Sequence, residues 1–310
     1  MKSNKIMLAS MMALSAGLAL AHAQSGLSGK IVYSLNGDLW LHYFTGVPDV
    51  QVTATPDVTE WQPRLSPDGG RIAAKVSPAV ANGPSGLRVF SLNGGLLVTL
   101  TTAAMAAWPT WSNDGERIAY SDSTRNVSGI WVTRANGSTI PTRLTDHGAF
   151  PAWSPVINAD GTTQIAFTSS KGTKSGDAEI WLMDVTIAAN GSVSASGAAP
   201  ILSFKGNDGD LDWKSPGLTF THYTGPTYSQ DIYTMNPVAP GSTVIRLTQL
   251  TSGDVESRWS PDGTKLLFRR SSNDPSFNGL WVIDAFLGPG GSLPTPTILI
   301  PGGGQADWGP

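Results

Sequence analysis

The sequence contains no cysteine, which excludes a disulfide framework. It also lacks the P-loop, the dinucleotide-binding fingerprint and the Gly-x-Ser-x-Gly turn of α/β-hydrolases. Beyond the first 23 residues, no long segment shows the 3.6-residue period of an amphipathic helix. Stability must therefore come from apolar area packed between short strands.

Basic residues are scarce after the N-terminus. Residues 24–310 carry 18 of the 20 Lys and Arg and all 23 Asp and Glu residues, which gives a net charge of −5. Nucleic acids and anionic membrane surfaces require clustered basic residues, so we expect neither as a partner. The histidines of this part, His42, His147 and His222, do not have the spacing of zinc ligands on one element.

The first 23 residues have the organisation of a secretory signal peptide. Lys2 and Lys5 precede an uncharged apolar run at 6–20, and Ala21-His22-Ala23 is a small-x-small cleavage pattern. The run is shorter than the ~20 residues that a membrane span needs, and no cysteine follows it that could carry a lipid. We therefore expect residues 1–23 to be removed, no membrane insertion, and a periplasmic or secreted mature protein.

A phrase built around Trp-Ser-Pro-Asp-Gly recurs at intervals of 42 to 60 residues. Pro fixes φ and Gly tolerates the left-handed backbone, so the phrase reverses the chain tightly. The longest interval contains a Gly-, Ala- and Ser-rich insert at 185–200. The copies are Leu65-Ser66-Pro67-Asp68-Gly69, Trp111-Ser112-Asn113-Asp114-Gly115, Trp153-Ser154-Pro155, Trp213-Lys214-Ser215-Pro216-Gly217, Trp259-Ser260-Pro261-Asp262-Gly263 and Asp307-Trp308-Gly309-Pro310.

Short strands follow each of the first five copies in the same order. After Trp111, for example, come Arg117-Ile118-Ala119-Tyr120, then Ile130-Trp131-Val132, and then, beyond an Asn-Gly turn, Thr142-Arg143-Leu144-Thr145. These runs are rich in β-branched and aromatic residues. With the strand that ends in the Trp, each repeat has four strands, and this period is typical of propeller blades.

The two ends of the sequence complement each other. The mature N-terminus supplies three strands, at 31–34, 38–41 and 50–53, whereas Ala306-Asp307-Trp308 is a first strand without its other three. Closing the ring with a shared blade would remove open sheet edges. We therefore predict an all-β fold over 24–310, a six-bladed β-propeller closed by N-terminal strands pairing with the C-terminal strand.

The phrase from Pro109 to Tyr120, Pro-x-Trp-Ser-x-Asp-Gly-x-x-Ile-Ala-Tyr, resembles the repeat of TolB-type periplasmic propellers. The same repeat occurs in the propellers of prolyl-oligopeptidase-family enzymes. The resemblance covers roughly residues 29–310 and implies a propeller of the cell envelope. TolB proteins carry an additional N-terminal α/β domain that contributes to contacts with envelope partners. Only five residues, 24–28, precede the first strand region at Gly29 in the mature sequence, so we expect no such domain here.

In such a ring, first strands line the central channel, and the loops that enter them form one rim. Loops on a rigid scaffold commonly carry function, and this rim is acidic. Two interpretations stay open: a negative mouth that binds a basic peptide or Ca²⁺ through oxygen ligands, or acids that are solvated or paired with arginine. The charged candidates are Glu60, Asp208, Asp210, Asp212, Asp254, Glu256 and Asp307, with Arg64 and Arg258.

Aromatic residues form a second rim feature. Trp61, Trp108 and Phe150 stand before or within first strands, and Tyr223 and Tyr228 lie in a predicted loop. They could stack on a sugar or a peptide side chain, or simply pack between blades. The recurring Trp of the phrase is expected to be core.

His147 follows Asp146 on the same rim and is a further binding candidate. A general base at His147 is conceivable chemistry.

We predict a monomeric exported scaffold without a required cofactor, which binds an envelope protein or peptide through the channel-mouth rim. The alternative is an enzyme, a lyase or hydrolase acting on a carbohydrate or lactone with rim carboxylates and Ca²⁺, for which fold analogy is the only argument. A third hypothesis is a structural module of a larger envelope assembly.

Overall fold

The computed structural model describes residues 26–81, 83–173, 176–225, 230–249 and 253–310. Within them the chain forms six four-stranded antiparallel sheets around a central channel, which confirms the predicted all-β propeller. No helix of these residues is long and apolar enough to cross a membrane. The predicted signal peptide, 1–23, and the rim candidate Tyr228 lie outside the described residues.

The blades are numbered in the chain order of their first strands. Blade 1 consists of β4 (Val58–Leu65), β5 (Arg71–Pro78), β6 (Gly86–Ser91) and β7 (Leu96–Thr101), and blade 2 of β8 (Ala106–Trp111), β9 (Arg117–Asp122), β10 (Gly129–Arg134) and β11 (Thr142–Arg143). Blade 3 consists of β12 (Ala149–Trp153), β13 (Thr162–Ser169), β14 (Glu179–Ile187) and β15 (Val193–Leu202), and blade 4 of β16 (Asn207–Lys214), β17 (Gly217–Tyr223), β18 (Gln230–Met235) and β19 (Ile245–Arg246). Blade 5 consists of β20 (Gly253–Trp259), β21 (Lys265–Ser271), β22 (Gly279–Asp284) and β23 (Thr297–Pro301), and blade 6 of β24 (Ala306–Gly309), β1 (Lys30–Leu35), β2 (Asp38–Tyr43) and β3 (Val50–Gln51).

The first strand of each blade is innermost. The strands β4, β8, β12, β16, β20 and β24 contact one another in that order, and β24 returns to β4. Three of the outermost strands, β3, β11 and β19, are only two residues long. Short outer strands leave little free edge for pairing with other chains.

The ends of the chain close the ring, as predicted. The antiparallel pairing of β24 with β1 places Ile31 opposite Trp308 and Tyr33 opposite Ala306. The Trp308 indole donates to the Ser28 carbonyl at 2.8 Å, and the Lys30 ammonium donates to the carbonyl of Pro310. Blade 6 is therefore built from both ends of the described chain.

The core lies between neighbouring blades, so the middle strands are apolar on both faces. Between blades 6 and 1, for instance, Val32 and Leu41 pack with Ile72 and Val76. This explains continuous apolar runs such as the one that begins at Ile118.

The Asp-Gly turns connect first and second strands as the sequence predicts. Gly69, Gly115 and Gly263 have φ of 68° to 70°. The Asp68 carboxylate accepts the backbone N–H of Gly70 at 3.0 Å, which fixes the turn locally. All these turns lie at the end of the channel opposite the predicted rim.

The Gly-, Ala- and Ser-rich insert forms regular structure. It lengthens β14 to nine and β15 to ten residues, and these two strands pair from Ile180 with Leu202 to Ile187 with Val193. The counterparts β10 and β11 of blade 2 have six and two residues. The insert is thus an extension of one outer hairpin.

Ring closure can be tested with two tryptophans. Trp308 is 1% exposed, so Trp308→Ala should lower the unfolding free energy by about 3–5 kcal/mol. Trp61 is 38% exposed, and the matched Trp61→Ala change should cost less than about 1 kcal/mol. Urea unfolding of both variants measures the difference. Equal losses would contradict the closure.

Candidate functional site at the channel mouth

Five of the six innermost strands contain a β-bulge at the same place. In blade 1, Trp61 pairs with Lys75 and Arg64 with Ala73, so two residues of β4 face one residue of β5. The same shift occurs in β8, β12, β16 and β20. The first bulge residue is a non-glycine with φ of 51° to 60° in every case. This backbone costs about 1–2 kcal/mol per residue, and the bulge re-aims a side chain.

The bulge residues stand three positions before the recurring Trp, or before Leu65 in blade 1, and Gln305 holds that position in blade 6. We call this set the mouth ring: Gln62, Trp108, Phe150, Asp210, Glu256 and Gln305. Four of its members are among the predicted rim residues. Gln62 and Gln305 were missed by the sequence analysis.

Contacts between neighbouring blades connect the mouth ring. Gln305 donates to Glu256 Oε1 at 2.6 Å and accepts the backbone N–H of Gln62 at 3.1 Å. The Gln62 side chain in turn accepts the backbone N–H of Trp108 at 2.8 Å. The Trp108 and Phe150 ring centroids are 4.5 Å apart. The two glutamines therefore link an acidic half of the ring to an aromatic half.

The acidic half contains two carboxylates with different surroundings. Glu256 accepts Arg269 Nε at 2.8 Å and forms an ion pair with it. Asp210 accepts the Tyr223 hydroxyl at 2.6 Å. Burial and the nearby Glu256 carboxylate raise the pKa of Asp210 to about 6. Burial, reinforced by Asp210, also raises the pKa of Tyr223, so this phenol stays a donor.

A cavity of about 370 Å³ opens at the mouth between the two halves. All mouth-ring residues except Gln62 line it, together with Tyr223 and Arg269 from second strands. Tyr223 is the last residue of β17. The sequence predicts a loop at this position, so that prediction is wrong for Tyr223. The volume falls in the range of small-ligand sites.

A second ring of side chains lies two positions further along the first strands. We call it the channel ring: Arg64, Thr110, Ala152, Asp212, Arg258 and Asp307. Arg64 contacts the carboxylates of Asp212 and Asp307 at 3.0 and 3.4 Å. This matches the interpretation in which rim acids pair with arginine.

The aspartates of the channel ring also connect blades through the backbone. Asp212 accepts the N–H of Trp259 at 2.9 Å, and Asp307 accepts the N–H of Leu65 at 2.7 Å. Burial would raise the pKa of Asp212, but neighbouring cations, Arg64 foremost, outweigh it and hold this pKa below its usual value. The channel ring is thus a structural layer with matched charges.

A separate cavity of about 270 Å³ lies at the opposite end of the channel. Arg64, Asp212 and Asp307 line it together with residues of the Asp-Gly turns. It shares no described lining residue with the mouth cavity. The channel ring therefore lies between the two cavities and lines only the one at the far end.

Two predicted rim acids are buried in pairs away from the mouth cavity. Asp208 lies 2.7 Å from His222 Nδ1. Asp254 accepts two hydrogen bonds from Arg270, at 2.7 and 2.8 Å. Both pairs join a first strand to the second strand of the same blade, so each pair stabilises its own blade.

Glu60 and Trp61 also lie away from the mouth cavity. Glu60 is buried and accepts the hydroxyls of Thr53 and Thr55 at 3.1 and 2.6 Å. Trp61 is partly exposed, and its indole donates to Ser77 at 3.0 Å. The structure therefore assembles only part of the predicted rim into one site.

His147 lies on the outer part of the mouth face. Its Nδ1 is 2.8 Å from Ser169 Oγ, and its Nε2 is 3.8 Å from Asp146. Ser169 is buried, and its Oγ also accepts the N–H of Lys171. Burial lowers the pKa of His147. The enzyme hypothesis stays a prediction.

The described residues contain no group of three or more His, Asp or Glu side chains placed to hold a metal ion. In the mouth cavity, the lining carboxylates are those of Asp210 and Glu256, and Glu256 is paired with Arg269. Binding of Ca²⁺ to the rim therefore stays a prediction without a defined ligand set.

A sequence signal for the missed residues exists. Counting three positions back from each phrase gives Gln62 and Gln305 as well as the four residues already selected. Proline follows the bulge residue in blades 1 to 3, at Pro63, Pro109 and Pro151, where a missing N–H is tolerated. Arg269 has no comparable signal, since it reaches the mouth from a second strand.

Solved structures similar to this chain include two TolB structures and a chain of a nidogen/laminin complex. TolB of Acinetobacter baumannii superposes with a TM-score of 0.64 at 18% identity, over 91% of this chain and 67% of that one. A protein of Agrobacterium tumefaciens assigned as TolB has a TM-score of 0.58 at 19% identity, over 87% of this chain and 88% of that one. A chain of a nidogen/laminin complex has a TM-score of 0.58 at 13% identity, over 83% of this chain and 89% of that one. No protein-family model and no curated protein matches the sequence.

These identities establish the fold alone. The chain has the six-bladed fold of the TolB propeller, which confirms the resemblance inferred from the repeat.

The pKa of Asp210 predicts a pH-dependent stability. The folded protein holds this proton up to about pH 6, whereas an unfolded aspartate loses it near pH 4. The contribution of Asp210 to the unfolding free energy therefore falls as pH rises from about 4 to 6 and is constant above. Asp210→Asn keeps an acceptor for Tyr223. Its unfolding free energy should be higher than that of the wild type by about 1–3 kcal/mol at pH 7.5 and almost equal to it at pH 4.

Urea unfolding at both pH values measures this difference. Asp284→Asn is the matched control, because it removes a carboxylate whose side chain is 65% exposed. A stability gain of the Asp210 variant that is the same at pH 4 and 7.5 would contradict the assignment.

Proposed function

We propose that the protein is an exported, monomeric scaffold of the cell envelope, periplasmic or secreted, that binds a protein or peptide partner through the channel mouth. The observation that carries this proposal is the mouth cavity, which combines two half-buried aromatic rings with buried hydrogen-bonding groups. Aromatic anchors that fill pockets dominate the energetics of protein interfaces.

The construction of the site supports a role in binding. The mouth-ring side chains are fixed by contacts to neighbouring blades, such as that of Gln62 with Trp108. A binding surface held in place this way loses little conformational freedom on association.

The similar structures agree with a role in protein binding. One of them is a chain of a complex between nidogen and laminin, so a chain of similar fold occurs in an assembly of two proteins. The likeness to TolB is the reason for placing the partner in the envelope. Export rests on the signal-peptide pattern of residues 1–23.

Site-specific photo-cross-linking tests the proposal in the organism that produces the protein. A benzoylphenylalanine at Phe150 would probe the mouth cavity. The same residue at Phe286, which is 52% exposed in the loop between β22 and β23, would probe the opposite face. We expect a discrete protein adduct from position 150 and none from position 286. Adducts from position 286 alone, or no adduct from position 150, would overturn the proposed site.

A further inference from the structure

The charges that line the mouth cavity do not balance. They comprise the carboxylates of Asp210 and Glu256 and the guanidinium of Arg269. Arg269 pairs with Glu256, to which Gln305 also donates. One negative charge, on Asp210, is therefore in excess in the cavity.

Asp210 has hydrogen-bond donors but no ion-pair partner. It is 3% exposed, and Tyr223 donates to it. The Arg258 guanidinium lies behind it but donates to the backbone carbonyls of Asp210 and Ser257. Among the described residues no Lys or Arg nitrogen lies within 4.0 Å of the Asp210 carboxylate, in contrast to Asp212 and Glu256. A buried unpaired carboxylate is costly, and an incoming cation would relieve that cost.

Aromatic faces contribute the other wall. The half-buried rings of Trp108 and Phe150 lie 4.5 Å apart at 47° and line the same cavity as Asp210. A cation over an aromatic face is attracted by the ring quadrupole, most strongly over Trp. A carboxylate and two aromatic rings around one space therefore form a recognition site for a cation with an apolar stem.

The size of the cavity limits what enters. A space of about 370 Å³ accommodates the end of one long side chain and not a folded segment. Acidic side chains would be repelled by Asp210 and Glu256. A neutral group could stack on the rings, but the charge would contribute nothing to its binding.

We propose that the mouth cavity binds a single cationic side chain, lysine or arginine, presented by the partner, with Asp210 as its ion-pair acceptor and Trp108 and Phe150 as its aromatic wall. This inference rests on the proposed function and names the chemistry of that same site. Glu256 and Arg269 already form an ion pair with each other and line one fixed side of the cavity.

Purified mature protein and small probes test the chemistry without the natural partner. The probes are the N-acetyl methylamides of lysine, arginine, norleucine and glutamate, together with a neutral oligosaccharide. Ligand-observed NMR titrations at pH 7.5 give their relative affinities. We expect the lysine or arginine probe to bind at least about tenfold more tightly than norleucine, because a charge-assisted contact to a buried carboxylate is gained, and we expect glutamate not to bind. The two cationic probes identify which head group is preferred.

Two variants assign the walls of the cavity. Asp210→Asn should weaken the binding of the cationic probe about tenfold or more and leave the affinity for the norleucine probe unchanged. Trp108→Leu should weaken the binding of the cationic probe about three- to tenfold. Asp284→Asn removes the same charge at the opposite end of the propeller and should have no effect. A melting curve for each variant verifies that it is folded.

A pH titration adds a readout that a structural role for Asp210 would not give. The titratable groups near its carboxylate are Glu256, Tyr223, Arg258 and Arg269. Burial and the Glu256 carboxylate raise the pKa of Asp210 to about 6. The cationic probe should therefore bind more weakly as pH falls from 7.5 to 5, while binding to the Asp210→Asn variant should not change over that interval.

Several results would overturn the inference: equal affinity for lysine and norleucine probes, preferred binding of the oligosaccharide, or unchanged affinity in the Asp210→Asn variant. None of these affects the cross-linking experiment, which reports a partner at the mouth whatever its chemistry. Conversely, specific binding of cations without a cross-linked partner would refute the proposed function and leave a cation site.

Discussion

The pairing of β24 with β1 is the contact on which the rest of the structure depends. It completes the sixth sheet from the two ends of the described chain, so that both ends are hydrogen-bonded into one blade. Because the ring is closed, each innermost strand packs between two others and cannot relax outward. That confinement holds five non-glycine residues in the left-handed region, where each alone would be unfavourable. The geometry of the mouth is therefore a property of the whole ring and not of one blade.

The repeat fixes where side chains point, and the differences between the copies supply the chemistry. Two positions of each first strand reach the channel. At the inner one, Arg64 and two aspartates match their charges and bind the backbone of neighbouring blades, so this layer stabilises the ring. At the outer one, the Gln305 amide, two aromatic rings, the paired Glu256 and the Asp210 carboxylate, which has no ion-pair partner, meet around open space. A sixfold backbone thus presents an asymmetric surface, which is what recognition of one ligand requires.

Blades and closure could be predicted because each inner hairpin carries its own turn phrase and because the incomplete ends are complementary. The mouth could be predicted only in part, since the bulge breaks the two-residue alternation of a strand. Trp61 and Trp108 look equivalent in sequence, yet Trp61 precedes its bulge and lies on the surface, while Trp108 lies within the bulge and faces the cavity. Asp208 and Asp254 resemble rim acids, but their partners on second strands were not visible in a linear pattern.

The channel ring also limits how deep an inserted group reaches. Arg64 contacts the carboxylates of Asp212 and Asp307, so a layer of paired charges lies between the mouth cavity and the cavity at the opposite end. A partner broad enough to cover the mouth would enclose its own inserted side chain, so the lifetime of the complex would depend on how readily the edge of the contact opens.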